Sequence, residues 1–176
     1  MEPVTSEALQ VFLQRLSERY SGRGVFYLLG GSALLLLGSL RETRDVDYMV
    51  EPALDTDADL RAALDELAAE LKLDLELVPL GEFIPLPPQA HERRRLVGRY
   101  GQLEVYIFDL YSIALSKIAR GFESDLEDVV FMLRQGLIEF GELERLFNVI
   151  LPDAPKAGIN RAEFRAYFDE IRRRFK

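Results

Sequence analysis

A chain of 176 residues, 48% hydrophobic and 30% charged, has enough apolar material for one core, and none of its apolar runs approaches the roughly 20 residues of a membrane span. The absence of cysteine excludes disulfides and thiolate zinc sites, the single histidine, His91, argues against histidine-based dyads or metal clusters, and a net charge of -8 opposes broad attraction to nucleic acid. The acidic and polar N-terminus lacks the basic-then-apolar order of a signal peptide, so a cytoplasmic protein with no membrane partner is expected.

From Ser6 to Tyr20, Leu9, Phe12, Leu13 and Leu16 recur at helical spacing while Gln10, Gln14, Arg15 and Glu18 face away, which predicts an amphipathic helix. Ser21-Gly22-Arg23-Gly24 ends it, and Val25 to Leu29 reads as a short buried strand. After Gly30-Gly31, Ser32 is placed to cap a short helix through Leu37, closed by Gly38. Asp45 to Val50 is a second strand, stopped by Glu51-Pro52.

The stripe Leu60, Ala63, Leu64, Leu67 and Leu71 marks a helix from Asp57 to Leu71. Leu73 to Val78 then switches to period two, a strand with one apolar and one acidic face. Strand, crossover helix and strand imply a mixed or parallel sheet. Pro79 to Arg95 holds four prolines and reads as an extended surface loop, and Leu96–Tyr100 with Leu103–Phe108 around Gly101-Gln102 as a hairpin.

From Asp109 onward the pattern is helical. Asp109 caps a helix through Ala119, ended by Gly121, and Ser124 with Glu127 forms a capping box for a helix through Arg134. Glu139 to Val149 is a third helix, and Asn160 with Glu163 opens a last one to Arg174. The organisation expected is a 1–108 α/β core and a 109–176 helical part packed on it. The basic clusters Arg93-Arg94-Arg95 and Arg172-Arg173-Arg174 read as a solvated face and a charged helix end, with a local nucleic-acid contact as the alternative.

Two constellations carry chemistry. Asp45 and Asp47, two apart on a strand, project to one face with Cα atoms about 6.6 Å apart, where hard oxygens can share magnesium; the plainer alternative is an edge strand facing solvent. Gly30-Gly31-Ser32, between strand and helix, suits a tight turn whose amides and hydroxyl grip a phosphate; the plainer alternative is helix capping. The short interval between Ser32 and Asp45 would set the two side by side.

Leu29-Gly30-Gly31-Ser32 followed by Arg44-Asp45-Val46-Asp47-Tyr48 resembles the signature of the polymerase-β-like nucleotidyltransferase superfamily. The resemblance implies an α+β fold, a short mixed sheet flanked by helices with a C-terminal helical part that closes a nucleotide cleft. It also implies phosphates on Gly30, Gly31 and Ser32, with Arg44 nearby, and divalent metal on Asp45 and Asp47. A third carboxylate on the neighbouring strand would complete a triad as ligand or base. Asp74 and Glu76 both qualify, and Glu76 is preferred because Glu76-Leu77-Val78-Pro79 resembles the strand end of small nucleotidyltransferases.

Leu115 to Val129 resembles a segment of nucleotidyltransferases related to abortive-infection toxins, in which Lys117 would approach the triphosphate. Ser124 departs from that pattern, where a basic residue often stands, and an ion pair of Lys117 with Asp125 or Asp128 is the plainer alternative. Tyr106 and Tyr111 are candidates for base stacking or for core packing. The function expected is Mg2+ (or Mn2+)-dependent transfer of a nucleoside monophosphate from a nucleoside triphosphate to an acceptor hydroxyl on tRNA, protein or a small molecule. A cognate antitoxin is an expected partner, and a non-catalytic nucleotide- or partner-binding module is the rival reading.

Overall fold

The computed structural model describes residues 2–176. In chain order the elements are helix α1 (Ser6–Arg19), strand β1 (Gly24–Leu28), helix α2 (Gly30–Leu36), strand β2 (Asp45–Glu51), helix α3 (Ala58–Leu71) and strand β3 (Asp74–Leu77). A single helical turn α4 (Leu80–Phe83) follows, then strands β4 (Arg95–Tyr100) and β5 (Leu103–Ile107). Helices α5 (Leu110–Arg120), α6 (Glu123–Arg134), α7 (Phe140–Ile150) and α8 (Arg161–Phe175) complete an α+β fold.

The chain divides into two compact units, one running to Val78 and including Arg95–Ile107, the other formed by Pro79–Arg94 and Phe108–Lys176. Pro79–Arg94, expected as an extended loop of the α/β core, groups instead with the C-terminal helices and contains α4 and a 3-10 turn at Ala90–Arg93. Its own side chains account for the difference. Leu80, Ile84 and Ala90 are buried, and the Arg93 guanidinium grips the buried Asp109 carboxylate through two hydrogen bonds of 2.9 and 2.8 Å while donating to the Pro88 carbonyl at 2.8 Å. Two parallel charge-assisted bonds are stronger and more directional than a single point contact.

The first unit is built on a five-stranded mixed sheet in the order β3-β2-β1-β5-β4. Strand β1 runs antiparallel to β2 and parallel to β5, β2 runs parallel to β3 across the α3 connection, and β4 and β5 form the expected hairpin. Period two decides which face is buried. Val46, Tyr48 and Val50 of β2 are buried, whereas Asp45, Asp47 and Met49 are only half-buried. Phe26 of β1 stacks on Tyr48 at 5.1 Å and tilts against Phe12 of α1 at 6.0 Å, so α1 covers that same face. The α1 stripe Leu9, Phe12, Leu13 and Leu16 and the α3 stripe Leu60, Ala63, Leu64 and Leu67 are all buried, and α1 packs on α3. Each such leucine or phenylalanine contributes about 1.5–3 kcal/mol on leaving water.

One polar contact pins α1 to the start of α3. Asp57 caps α3 by accepting from the Leu60 amide at 2.9 Å, and it also accepts the Tyr20 hydroxyl. That hydroxyl bond, with the amide second, holds Asp57 below the usual carboxylate range. Burial, reinforced by Asp57, pushes the Tyr20 phenol up to about 12.

In the second unit Phe147 of α7 stacks on Phe168 of α8 at 4.2 Å and meets Phe164 edge-on at 4.7 Å. Asp109 and Asn160 cap α5 and α8 through side-chain bonds to first-turn amides. The capping box expected at Ser124 and Glu127 is not formed: α6 already begins at Glu123, with Phe122 at its N-cap and no side-chain cap. Gly121, left-handed at φ +71°, ends α5 so abruptly that α6 starts two residues later.

Helices α5 and α6 enclose a buried charge cluster. The Lys117 ammonium donates to Asp128 Oδ2 at 2.8 Å and to Asp125 Oδ1 at 3.3 Å, and all three side chains are at most 4% exposed. Arg120, largely exposed, donates to the same Asp125 oxygen at 2.6 Å. Removing one member of such a cluster strands the opposite charge in a dry interior. Lys117→Met is therefore expected to cost about 3–5 kcal/mol in urea unfolding, with most of the loss recovered when Asp125→Asn and Asp128→Asn are added.

The Tyr20–Asp57 pair generates a pH signature. Ionised Asp57, its pKa lowered by folding, stabilises the fold fully above pH of about 4, and that support fades as pH falls through the lowered value. Neutral Tyr20, its pKa raised, contributes fully below about pH 10, and this contribution is lost as pH rises toward 12. Tyr20→Phe is expected to lose about 1 kcal/mol at pH 7, a modest figure because Asp57 is partly open to water. In thermal unfolding series the gap to the native chain narrows at both acid and alkaline extremes.

Candidate metal centre

The parallel ladder between β2 and β3 sets Asp45 opposite Asp74 and Asp47 opposite Glu76. Partners in a parallel ladder project to the same face, so all four acids point away from the Val46–Tyr48 core side. Within this row Asp45, Asp47 and Glu76 each bring a carboxylate oxygen within 4.8 Å of the others. Asp74 is outside that group. The preference for Glu76 as the third acid thus has a geometric basis: it lies opposite Asp47 on the adjacent strand.

Asp45 and Asp47 are half-buried and Glu76 is exposed, so the cluster opens to solvent on the Glu76 side. Among the described residues neither Asp45 nor Glu76 has a cationic partner. Three carboxylates at this separation repel one another, and a divalent cation is the simplest neutraliser. The donor set is all oxygen, which suits hard ions such as Mg2+ and Mn2+ and not a thiophilic metal. The residues present fit such an ion.

The phosphate side of the site differs from the sequence expectation. Helix α2 begins at Gly30, with Leu29 at its N-cap and no side-chain cap. Ser32 therefore lies inside the first turn rather than ahead of it. Its hydroxyl is fully buried and donates back to the Leu29 carbonyl at 3.0 Å, so it neither caps the helix nor reaches the surface. The amides of Gly30, Gly31 and Ser32 precede the first i to i−4 bond, which runs from Ala33 to Leu29 at 3.1 Å, and both glycines are half-buried.

Lys117 lies on α5, inside the second unit. Its ammonium is nearly inaccessible and is engaged by Asp125 and Asp128, the plainer of the two readings that its spacing allowed. Arg44 is exposed and has no ion pair among the described residues. Tyr106 donates to Glu104 at 2.7 Å and its ring lies 6.1 Å from that of Tyr27. The Tyr111 hydroxyl accepts from the Glu139 amide at 3.1 Å, and the Arg93 guanidinium lies over its ring. His91 packs edge-on against Phe108 at 5.3 Å. Of the basic clusters, Arg93 is held by Asp109, and Arg172, Arg173 and Arg174 are each ion-paired.

One contact at the site exceeds what sequence reading assigned to its residue. Thr43, given no role in the sequence reading above, is 8% exposed and places its hydroxyl 3.1 Å from Asp45 Oδ1. The available signal was period two, since Thr43 stands two residues before Asp45 on the same side of the extended chain.

Over residues 4–176 the sequence matches the family described as "Nucleotidyltransferase of unknown function (DUF6036)". No curated protein and no solved structure matches the chain. No helix among the described residues is long and apolar enough to cross a membrane. The family match takes in the glycine turn, the three clustered acids and both compact units, and the chain belongs to this nucleotidyltransferase family.

Proposed function

We propose that this protein is a metal-dependent nucleotidyltransferase that moves a nucleoside monophosphate from a nucleoside triphosphate to an acceptor hydroxyl. The observation that supports it most is the convergence of Asp45, Asp47 and Glu76 within 4.8 Å on one sheet face, beside the start of α2. In this reading Asp45, Asp47 and Glu76 hold one or two Mg2+ (or Mn2+) ions. When bound, such an ion neutralises charge at the α-phosphate and lowers the pKa of the attacking hydroxyl. The acceptor oxygen forms a bond to the α-phosphorus, the bond to the bridging oxygen breaks, and pyrophosphate leaves. Glu76, the most exposed of the three, serves as third ligand or takes the hydroxyl proton.

The Gly31 and Ser32 amides, not the Ser32 hydroxyl, hold phosphate oxygens in this scheme, and Arg44 supplies positive charge at the surface. Lys117 serves the fold of the second unit. The acceptor is an RNA end such as that of tRNA, a protein or a small molecule, and the setting is a cytoplasmic toxin–antitoxin pair with a cognate antitoxin as partner.

A second reading has its own observation. The internal engagement of Ser32 and Lys117 removes two side chains from phosphate binding, which favours a non-catalytic nucleotide- or partner-binding module on the same fold. Labelled nucleoside triphosphate incubated with total RNA, proteins and small hydroxyl compounds separates the two: label transfer supports the enzyme, and binding without transfer supports the module.

The metal assignment is tested by calorimetry. Asp45→Asn with Asp47→Asn should abolish Mg2+-dependent binding of a nucleoside triphosphate and leave the far-ultraviolet spectrum unchanged. Unchanged binding in the double variant would overturn the site.

A further inference from the structure

We propose that Gly30, Gly31 and Thr43 together form the seat that fixes the two strand carboxylates, an inference that rests on the metal-site reading above. The glycines of the turn act by the volume they leave empty. Gly30 adopts φ +54°, and a Cβ built there would overlap Asp47 Oδ2 and stand 2.9 Å from its Cγ. The Asp47 carboxylate therefore lies directly against the Gly30 backbone, in space that any larger residue would fill.

Gly31 does the same for Asp45 through an intermediary. A Cβ on Gly31 would stand 2.7 Å from Thr43 Oγ1 and 2.9 Å from Thr43 Cβ, closer than side-chain carbons ordinarily come. Thr43 has little freedom to give way. It is β-branched, 8% exposed, and its carbonyl accepts from the Val4 amide at 2.8 Å. Its hydroxyl lies 3.1 Å from Asp45 Oδ1 and 3.3 Å from the Asp45 carbonyl, and the shorter contact orients the carboxylate. One glycine seats Asp47 directly, and the other seats the threonine that holds Asp45.

Thr43 is thus a positioning residue, acting through Asp45 without touching a reacting atom. Hydrogen bonds that orient ligand carboxylates are worth about 10–100-fold in metal affinity. The test is a Mn2+ titration of the nucleotide-free protein, read by electron paramagnetic resonance of the free ion, with melting temperature as the control for folding. Thr43→Val, which keeps the shape and loses the hydroxyl, should weaken Mn2+ binding by about 10–100-fold, while Thr43→Ser, which keeps the hydroxyl, should stay within about threefold of the native chain. Gly31→Ala should weaken binding as Thr43→Val does, and the double variant should be no weaker than the worse single one, because both act through the same contact.

Native affinity in Thr43→Val, or a loss in Thr43→Ser as large as in Thr43→Val, overturns the seat and leaves the metal site standing. A native chain that binds no Mn2+ overturns the metal site and the seat with it. Should Thr43→Val fail to fold, Gly31→Ala measured against Thr43→Ser carries the same decision.

Discussion

Three like charges brought within 4.8 Å of one another are the constraint around which the first unit is arranged. Nothing about strand pairing favours such a cluster. It persists because the opposite side of β2 buries Val46 and Tyr48, with Tyr48 stacked on Phe26 and Phe26 against Phe12. Slipping β2 by one residue would part Glu76 from Asp45 and Asp47, and would also turn Tyr48 away from Phe26 and bury the two aspartates. The apolar face thus holds the acidic face in place, and α1 and α3 contribute to the site without touching it.

The second unit handles charge in the opposite way. Lys117 balances Asp125 and Asp128 inside the protein, and Arg93 closes on Asp109 at the start of α5. Here the three buried carboxylates, Asp109, Asp125 and Asp128, each meet a cation from the chain itself. The contrast separates acids spent on pairing one helix with another from acids gathered on one sheet face, and only the latter make a candidate centre.

How much of this was legible beforehand follows from the range of the interactions. Asp45, Asp47 and Glu76 could be read because strand period two is local and because the parallel crossover through α3 brings the next strand alongside. Ser32 misled because its type is a common N-cap, while the true helix start was set two residues earlier by a glycine with positive φ. Ser124 failed for a similar reason at Gly121. The partners of Lys117 lie 8 and 11 residues away on another helix, so its spacing fitted an ion pair and a phosphate contact equally well. Pro79–Arg94 looked like loop because prolines dominate its composition, whereas its placement depends on Arg93 reaching Asp109, 16 residues on.

That reach has a consequence for how the gene can be divided. The chain leaves the sheet unit after Val78, returns at Arg95 and leaves again after Ile107, so neither unit is a contiguous stretch of sequence. A fragment stopped at the end of β5 would carry Pro79–Arg94 without the aspartate that Arg93 grips, and one begun at Phe108 would carry Asp109 without its arginine. The two halves are therefore not exchangeable cassettes. Recombination that swaps the helical part between relatives has to carry the proline-rich insertion with it, and a single crossover ahead of Pro79 brings along the β4–β5 hairpin that lies between the two in sequence.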